Sequence, residues 1–453
     1  MRSDKLPEKK RSDKVSRQGL SFKGGIHPDY CKEMTQNIKI KNAEVPAIVA
    51  IPLVQHIGAP AQPLVKAGDL VKMGQKIGES AGHVSANIHS SVSGKVLAVE
   101  PRLQAAGMLS TVVIENDGKD ELDPSIKGHE DIEKLTAEEI IGIIKEAGIV
   151  GMGGATFPTH VKLNPPKDHK IDTLIINGAE CEPYLTSDCR LMAETPDYVV
   201  NGAKALAKAL GIKGASIGIE DNKPEAIQAV QKACSKEKNI EVVVLKTKYP
   251  QGGEKQLIKA VTGREVPSRQ LPSAVGCVVI NTGTASAVYK AIKFGMPLIE
   301  RIVTVTGKGI KNPSNLLARV GTPFKEVIEQ CGGLVDGCSG IISGGPMMGF
   351  AQYSADISVV KGTSGILTIT EREAGMQKEY PCIKCARCID ACPMGLMPLK
   401  IVQAVKEGNL DAAVDLNIMD CIECGCCTFI CPAKRPLLQY ICTGKAKIRS
   451  RKS

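Results

Sequence analysis

Large aromatic residues are scarce in this 453-residue chain, which has no tryptophan and only six phenylalanines. Long apolar runs are also lacking. Val45 to Val54, one of the longest, has about half of the ~20 residues that a transmembrane helix needs. The N-terminus begins with Arg2, Ser3 and Asp4 and stays polar, so no signal peptide is expected. We therefore expect a soluble chain that is not exported, with about three or four domains.

The net charge of +10 is concentrated in two basic segments, residues 1–22 and 443–453. The basic residues of these segments are Lys9, Lys10, Arg11, Lys14 and Arg17, then Lys445, Lys447, Arg449, Arg451 and Lys452. They are either solvated, disordered ends or electrostatic contacts for an acidic protein or an anionic membrane face. Nucleic acid is not expected as a partner, because interleaved aromatic residues and a binding motif are both missing.

Short strands broken by glycine fill the region from about 45 to 115. Val65 to Gly78 alternates apolar residues across Gly-Asp and Gly-Gln turns, and Ser93 to Val96 opens a second, similar half. This pattern resembles a lipoyl/biotinyl barrel-sandwich domain, in which a modified lysine lies at the tip between the halves. Here the tip falls near Gly82, His83 and Val84 and has no lysine. We expect a scaffold without lipoylation or biotinylation.

Strands and helices alternate between about 170 and 295. The predicted strands are Ile171–Ile176, Ala215–Ile219, Ile240–Leu245 and Val275–Ile280, and the predicted helices lie near 197–210, 224–236, 253–262 and 284–294. Apolar strands separated by helices predict a parallel, doubly wound sheet. Short strands return between 300 and 370, with one helix near 323–331.

Eight of the 17 cysteines form two copies of the spacing C-x2-C-x2-C-x3-C-P. The copies are Cys382, Cys385, Cys388 and Cys392, then Cys421, Cys424, Cys427 and Cys431. This repeat indicates two [4Fe–4S] clusters, because the fourth cysteine of each copy ligates the other cluster in two-cluster ferredoxins. Zinc sites use C-x2-C pairs or mixed Cys/His sets instead. A ninth thiol, Cys426, fits no ligand position and is expected to pack near a cluster, and the insert 393–420 is predicted to form two short helices.

The spacing assigns four cysteines to each cluster, three from one motif and the fourth from the other. The first set is Cys382, Cys385, Cys388 and Cys431, and the second is Cys392, Cys421, Cys424 and Cys427. Crossing of this kind brings the clusters within tunnelling range, so the chain is expected to move electrons.

Four polar, glycine-bearing turns lie upstream of the cysteines. Turn 1 is Gly151–Lys162, turn 2 is Asn177–Tyr184, turn 3 is Gln251–Lys255 and turn 4 is Ile280–Thr284. Turns 2 to 4 each follow a predicted strand, where open α/β sheets bind ligands. Glycine lets a flat ring and a phosphate approach the backbone closely. Together the turns predict one shared crevice.

These turns resemble those of the NADH-oxidising, FMN-bearing subunit of respiratory complex I. The corresponding turns of that family read G-R-G-G-A-G-F-P-T-G-x-K, N-A-D-E-G-E-P, C-G-E-E and I-N-N. Arg301 to Gly349 is similar to the β-grasp (SLBB) domain of the same subunit. Three features differ: Met152 replaces an arginine, Gly253 replaces one acid, and two clusters replace one. The second cluster, together with Lys23 to Pro28 and the barrel-sandwich segment, makes residues 20–440 resemble the C subunit of the Rnf-type electron transport complex.

The resemblance implies roles for individual residues. Gly151, Gly153 and Lys162 would face the FMN phosphate and ribityl chain, while Asn177, Glu180 and Glu182 would line the flavin and nicotinamide. The remaining residues expected to close the pocket are Gly252, Glu254, Asn281, Thr282 and Thr284. Glu182 could instead be a turn or helix-capping carboxylate. FMN is expected to bind non-covalently, with NAD(H) as substrate and no catalytic acid–base side chain required.

The predicted fold class is multidomain α/β, with six segments in chain order. They are a basic tail (1–22), a barrel-sandwich hybrid domain (23–128), a Rossmann-like FMN/NADH domain (129–298), an SLBB β-grasp domain (299–372), an α-helical two-[4Fe–4S] ferredoxin domain (373–442) and a second basic tail (443–453).

The resemblance further implies a peripheral subunit on the cytoplasmic side of the cell membrane, in an ion-translocating ferredoxin:NAD+ oxidoreductase complex. Its partners would be other subunits of a membrane-embedded complex, including an iron–sulfur subunit, and indirectly ferredoxin. Two alternatives stay open at this point. One is a stand-alone flavin/iron–sulfur reductase such as a cobalamin reductase. The other is a ferredoxin-like electron carrier with a flavin-free head.

Overall fold

A computed structural model describes residues 19–375 and 378–451. The basic residues at 9–17 and Lys452 lie outside these described residues. The leading segment, residues 19–42, makes its strand contacts outside the barrel, and the domain boundary at 23 stays a prediction. Leu20 and Ile26 form bridges to Leu245 and Tyr249, and the first strand, β1 (Ile40–Asn42), pairs with a strand of the β-grasp domain.

The barrel-sandwich domain consists of two small antiparallel sheets. Its strands are β2 (Ile48–Pro52), β3 (Gln62–Pro63), β4 (Leu70–Val71), β5 (Lys76–Glu79), β6 (Ile88–His89), β7 (Gly94–Gln104) and β8 (Gly107–Asn116). The sheet orders are β2-β8-β7-β4 and β3-β5-β6. Val49, Ile51, Val112 and Ile114 fill the core between them. Residues 82–84 lie in the connection from β5 to β6, where the tip was expected.

The α/β domain carries a four-stranded parallel sheet of order β11-β10-β9-β12. Its strands are β9 (Thr173–Gly178), β10 (Ala215–Glu220), β11 (Ile240–Leu245) and β12 (Cys277–Asn281). Its helices are α1 (Ala137–Glu146), α2 (Thr159–Lys162), α3 (Ser187–Glu194), α4 (Pro196–Ala209), α5 (Pro224–Ala233), α6 (Glu254–Thr262) and α7 (Thr282–Phe294), with 3-10 turns at Ile132–Lys134, Cys234–Lys236 and Pro272–Val275.

Local sequence explains where several of these helices begin and end. Thr136 and Glu139 form a capping box at the start of α1. Proline occupies the first position of α4 and of α5, where its missing N–H costs nothing. Gly263 and Gly295 end α6 and α7 with φ values of 77° and 71°. The predicted parallel sheet and its helices are therefore present, with bounds shifted by a few residues.

The β-grasp domain is built on a six-stranded sheet of order β1-β14-β13-β17-β15-β16. Its own elements are β13 (Glu300–Thr306), β14 (Ser314–Arg319), α8 (Phe324–Gln330), β15 (Cys338–Ser343), β16 (Phe350–Gln352), β17 (Gly365–Thr370) and α9 (Glu371–Ala374). Phe324, Val327 and Ile328 of α8 pack on Val303 and Val305 of β13 in one core cluster. Because β1 completes this sheet, the leading segment ties the domain to the front of the chain.

The cysteine-rich end is helical, as predicted. Its helices are α10 (Arg387–Asp390), α11 (Pro398–Lys406), α12 (Leu410–Asp415), α13 (Cys426–Phe429) and α14 (Leu437–Ser450), with a 3-10 turn at Ile418–Asp420. The expected second tail is wrong in its described part, because residues 443–450 continue α14. Lys445 is buried there, and its Nζ donates to the Cys421 carbonyl at 2.7 Å and pairs with Glu423 at 2.5 Å.

Candidate functional site

The four turns meet at the carboxyl edge of the parallel sheet. β9 and β12 are neighbours, with Asn177 of turn 2 in register with Asn281 of turn 4. The chain proceeds from β9 to β10 and β11 on one side, then crosses to place β12 on the other side. A reversal of this kind opens a crevice between the two strand ends, where doubly wound sheets bind ligands.

Turn 1 is fixed against turn 4. The Met152 amide donates to the Thr284 hydroxyl oxygen at 2.8 Å, and that hydroxyl donates to the Val150 carbonyl at 3.3 Å. Gly151 closes the turn by donating to the Phe157 carbonyl at 2.8 Å. Gly153 has φ +78°, and an ideal Cβ there would lie 3.0 Å from Asn281 Nδ2. A side chain at 153 would therefore be strained and crowded against turn 4.

Turn 3 is held against turns 1 and 2. The Asn177 side chain donates to the Gly252 carbonyl at 2.8 Å and accepts from the Ala179 amide at 3.1 Å. An ideal Cβ on Gly252 would lie 2.1 Å from the Ala179 carbonyl oxygen, so no other residue fits. Lys162 pairs with Glu254 at 2.5 Å. The two charges predicted to line the pocket thus neutralise each other and link turns 1 and 3.

Turn 4 begins α7 and is stabilised by a buried acid. The Asn281 side chain accepts from the Gly283 and Thr284 amides and donates to Asp188 Oδ2 at 2.6 Å. Burial, assisted by the Glu180 carboxylate, raises the pKa of Asp188 to about 6. The Thr282 hydroxyl is buried and has no hydrogen-bond partner among the described residues. A buried unpartnered hydroxyl calls for a ligand or a water.

The two glutamates of turn 2 have different surroundings. Glu180 accepts from the Ser187 hydroxyl at 3.1 Å and from the Asp188 and Cys189 amides at 3.0 and 3.1 Å. Its carboxylate therefore serves the N-terminus of α3. Glu182 Oε2 accepts from the Met347 amide at 3.1 Å, while its Oε1 is buried and unpartnered in the described part of the chain.

Glu182 carries a perturbed pKa, although part of the residue reaches the surface. Burial raises the pKa of its carboxyl to about 7, against the hydrogen bonds from the Met347 and Met348 amides. The turn is close to the β-grasp domain, because an ideal Cβ on Gly345 would lie 2.2 Å from Glu182 Oε2. Of the two acids expected in the pocket, Glu182 is the one with a free buried acceptor.

The crevice fits a flavin nucleotide by these observations. Gly154 has open space around its Cα, turn 1 exposes backbone, and Thr282 and Glu182 each present an unpartnered buried oxygen. Pairwise contacts hold turns 1 to 4 against one another, but Glu180, Asn281 and Thr284 already use their polar groups to build the site. Sequence reasoning missed Asp188, which lies in α3 outside any motif.

The eight motif cysteines surround two separate cavities. Cys382, Cys385, Cys388 and Cys431 line one, and Cys392, Cys421, Cys424 and Cys427 line the other. The cysteines are grouped in the same two fours as in the predicted crossed sets, and their ligation of clusters stays a prediction. Cys426, the ninth thiol, is fully buried on the wall of the second cavity.

Both cysteine loops have the same backbone conformation. Lys384 and Ala386, two and four positions after Cys382, have φ values of 54° and 60°, and Glu423 and Gly425 have 59° and 78° at the matching positions after Cys421. In each loop an amide points at the first thiol: Lys384 N lies 3.3 Å from Cys382 Sγ, and Glu423 N lies 3.4 Å from Cys421 Sγ. Such N–H···S contacts stabilise negative charge on cluster sulfurs.

Each cavity presents four cysteines, which is the number that one cubane cluster needs. Within residues 19–375 and 378–451, no three Cys, His, Asp or Glu side chains come close enough to hold one metal ion.

The second cavity faces the α/β domain. Tyr249, fully buried beside turn 3, donates its hydroxyl to the Cys424 carbonyl at 2.8 Å. Gln256 Nε2 lies 3.3 Å from the Pro393 carbonyl, and an ideal Cβ on Gly24 would lie 2.7 Å from the Cys392 carbonyl. Met347, which holds Glu182, also approaches Gly425. By contrast, Cys385 of the first cavity is exposed.

Four family models match consecutive parts of the chain. They are the RnfC barrel sandwich hybrid domain (residues 20–119), the Nuo51 FMN-binding domain (144–290), the SLBB domain (302–351) and the 4Fe-4S dicluster domain (381–434). They confirm the predicted fold class and the cofactor classes, FMN and [4Fe–4S] clusters.

Curated relatives match almost end to end. The C subunit of the Na+-translocating ferredoxin:NAD+ oxidoreductase complex of Acetobacterium woodii is 49% identical over 94% of this chain and 97% of the relative. The proton-translocating counterpart of Clostridium ljungdahlii is 51% identical, covering 93% and 92%. This chain belongs to the C-subunit family of ion-translocating oxidoreductase complexes.

A further member of the C-subunit family, from Rhodobacter capsulatus, is 44% identical over 96% of this chain and 85% of that relative. Membership in this family confirms the predicted resemblance and the oxidoreductase class, and it favours neither a stand-alone reductase nor a flavin-free carrier. Among the described residues, no helix has the length and apolarity to cross a bilayer.

Proposed function

We propose that the chain exchanges hydride with NAD(H) in the four-turn crevice and passes electrons singly to a partner through its two cysteine-lined sites. The observation that carries this is the convergence of turns 1 to 4 at the sheet's switch point, with Thr282 and Glu182 each offering an unpartnered buried oxygen. When bound, FMN would take up two electrons as hydride and release them one at a time, and [4Fe–4S] clusters would carry single electrons.

Each residue of the crevice has a part in this proposal. Gly151 and Gly153 leave room for a ring against the backbone, and Asn177, Gly252 and Thr284 keep the turns at fixed separation. Lys162 and Glu254 tie turn 1 to turn 3. Glu182 holds an acceptor for the nicotinamide or ribose, and Glu180 acts indirectly by fixing α3 beneath turn 2.

The cysteine sets then have an order. The Cys392/Cys421/Cys424/Cys427 set lies nearer the crevice, because Tyr249 and Met347 connect turns 2 and 3 to Cys424 and Gly425. The Cys382/Cys385/Cys388/Cys431 set has an exposed ligand and suits the exit toward a partner. That partner would be an iron–sulfur subunit of the complex, with ferredoxin connected indirectly.

The relatives' names extend the proposal to the assembly. They name sodium- or proton-translocating ferredoxin:NAD+ oxidoreductase complexes, so we assign ion movement to other, membrane-embedded subunits and this chain to the NAD(H) reaction. We place it on the cytoplasmic face as a peripheral subunit, since NAD(H) is there. The domain boundaries at 129, 299 and 373 remain part of the proposal.

The test is NADH oxidation by the isolated subunit, purified anaerobically, reconstituted with FMN and given an artificial one-electron acceptor. We expect bound FMN, NADH-dependent acceptor reduction and about eight irons per chain. Lys162→Ala should weaken flavin retention, whereas Glu182→Ala should impair NADH oxidation more than FMN content. Absence of both FMN binding and NADH oxidation would reduce the chain to a ferredoxin-like carrier.

A further inference from the structure

Arg301 of β13 is a buried cation without an acidic partner. The residue is 4% exposed, and its Nε donates to the Thr363 carbonyl at 3.1 Å. Its Nη2 is buried and has no hydrogen-bond partner among the described residues. Asp188 and Glu180 act on the guanidinium only through space, and it forms no ion pair in the described part of the chain. Burial still lowers the pKa of Arg301 despite these two carboxylates, and its Nη2 lacks the acceptor that a buried donor needs.

The guanidinium lies at the flavin crevice although it comes from the β-grasp domain. An ideal Cβ on Gly283, the second residue of α7, would lie 3.0 Å from Arg301 Nη1 and 3.5 Å from Met152 Sδ. Met152 belongs to turn 1, and Gly283 adjoins Thr282 with its unpartnered hydroxyl. Arg301, Met152 and Gly283 also line one shared cavity. An unsatisfied charged donor thus lies beside the junction of turns 1 and 4, and Thr282, next in sequence to Gly283, has an unsatisfied hydroxyl.

Lys162 is poorly suited to neutralise a phosphate here. Its Nζ pairs with Glu254 at 2.5 Å, so it brings no net charge to the crevice. Arg301 is the unpaired cation beside turn 1, and a planar guanidinium matches two phosphate oxygens at once.

We propose that Arg301 binds the phosphate of FMN, with the Thr282 hydroxyl as a second donor. This inference rests on the proposed function and assigns the phosphate-binding charge to a different residue from Lys162. It also means that the flavin joins two domains, since its ring would lie on the α/β sheet and its phosphate on β13.

The experiment compares FMN with riboflavin, which has the same ring and no phosphate. Flavin is removed from the full-length, cluster-containing protein, and dissociation constants for both flavins are measured by fluorescence quenching. In Arg301→Gln the preference for FMN over riboflavin should fall by about 10- to 100-fold, because a charged hydrogen bond to phosphate is lost while riboflavin contacts remain. Arg301→Lys, which keeps the charge without the fork, should fall between Arg301→Gln and the unmodified protein.

Controls separate this role from general damage. Arg319→Gln removes a guanidinium from the adjacent strand, where it pairs with Asp120 at 2.7 Å, and should leave the FMN/riboflavin ratio unchanged. Lys162→Ala should weaken both flavins alike. Iron content and far-UV circular dichroism identify the variants that fold. If Arg301→Gln does not fold, the FMN/riboflavin ratio of Arg301→Lys decides the question.

Two outcomes are distinguishable. If folded Arg301 variants keep the unmodified preference for FMN, the assignment of Arg301 is overturned and the proposed function stands. If the unmodified protein binds neither flavin, the proposed function fails before the question of Arg301 arises.

Discussion

The two cysteine loops share a backbone conformation but lie in different surroundings. Left-handed residues recur at the same offsets after Cys382 and Cys421, and each loop directs an amide at its first thiol. Yet Cys385 in the first loop is exposed, whereas the matching Cys424 of the second is 7% exposed. The local sequence repeat thus determines how a cluster is held, and the rest of the molecule determines what the cluster contacts.

The two loops therefore share a ligand geometry but are suited to different positions in an electron path. Both loops can bind the same group, but of the two only the second is packed against turns 2 and 3, through Tyr249 and Met347. Tyr249, Met347 and Lys445 supply hydrogen bonds, contact and charge to the second loop. An exposed loop beside a shielded one suits a path that starts inside the subunit and ends at its surface.

The largest expected effect comes from breaking the crossed ligation. Cys431→Ser should abolish the cluster of the first motif and Cys392→Ser that of the second, so iron falls from about eight to about four per chain in each. Low-temperature electron paramagnetic resonance should then show a different surviving cluster in the two variants. Loss of the same signal from both variants would refute the crossing.

Burial of Glu182 should make the stability of the folded protein depend on pH. Its folded pKa, about 7, lies above the unfolded value, so the folded state binds the extra proton and loses stability as pH rises from about 4.5 to 7. The cost reaches at most about 3 kcal/mol above pH 7. Glu182→Gln should therefore flatten the fall in thermal midpoint between pH 5.5 and 8. The exposed carboxylate variant Glu241→Gln should keep the unmodified slope, and an equal slope in Glu182→Gln would contradict the burial argument.

The hydrogen bond from Tyr249 to Cys424 should contribute less. Tyr249→Phe leaves a buried carbonyl unpaired and should destabilise the second cluster by about 1 kcal/mol. Faster loss of that cluster to an iron chelator, with the first cluster unaffected, is the expected observation. Tyr440→Phe, which removes a tyrosine hydroxyl from α14 of the cysteine-rich region, serves as the control.

The smallest expected effect is on the reduction potential of the second cluster. Lys445 compensates the Glu423 carboxylate beside Cys421, so Lys445→Met would leave that negative charge unpaired and should lower the reduction potential of the second cluster by on the order of tens of millivolts. Lys445→Arg should restore most of it. A redox titration in which the first cluster's potential moves equally would show that the charge is not local.

The features that could be predicted from the sequence are those that depend on residues near one another along the chain. The cysteine sets followed from spacing, and turns 1 to 4 followed from glycine and polar residues at strand ends. The partner of each side chain could not be predicted, because it comes from a distant part of the chain. Glu180 accepts hydrogen bonds from amides of α3, and Arg301 of the β-grasp domain lies against α7. The basic run after 443 looked like a tail because burial of Lys445 against Glu423 has no signature along the chain.

The leading segment constrains the order in which this protein can be completed. Gly25 donates to Ala391, Ile26 bridges Tyr249, and β1 joins the β-grasp sheet, so residues 19–42 find their partners across nearly the whole chain. On the ribosome residues 19–42 emerge before the domains that they contact, so most of their contacts form only after those domains have been synthesised. The hydrogen bond from Gly25 to Ala391 can form only when the cysteine region is in place.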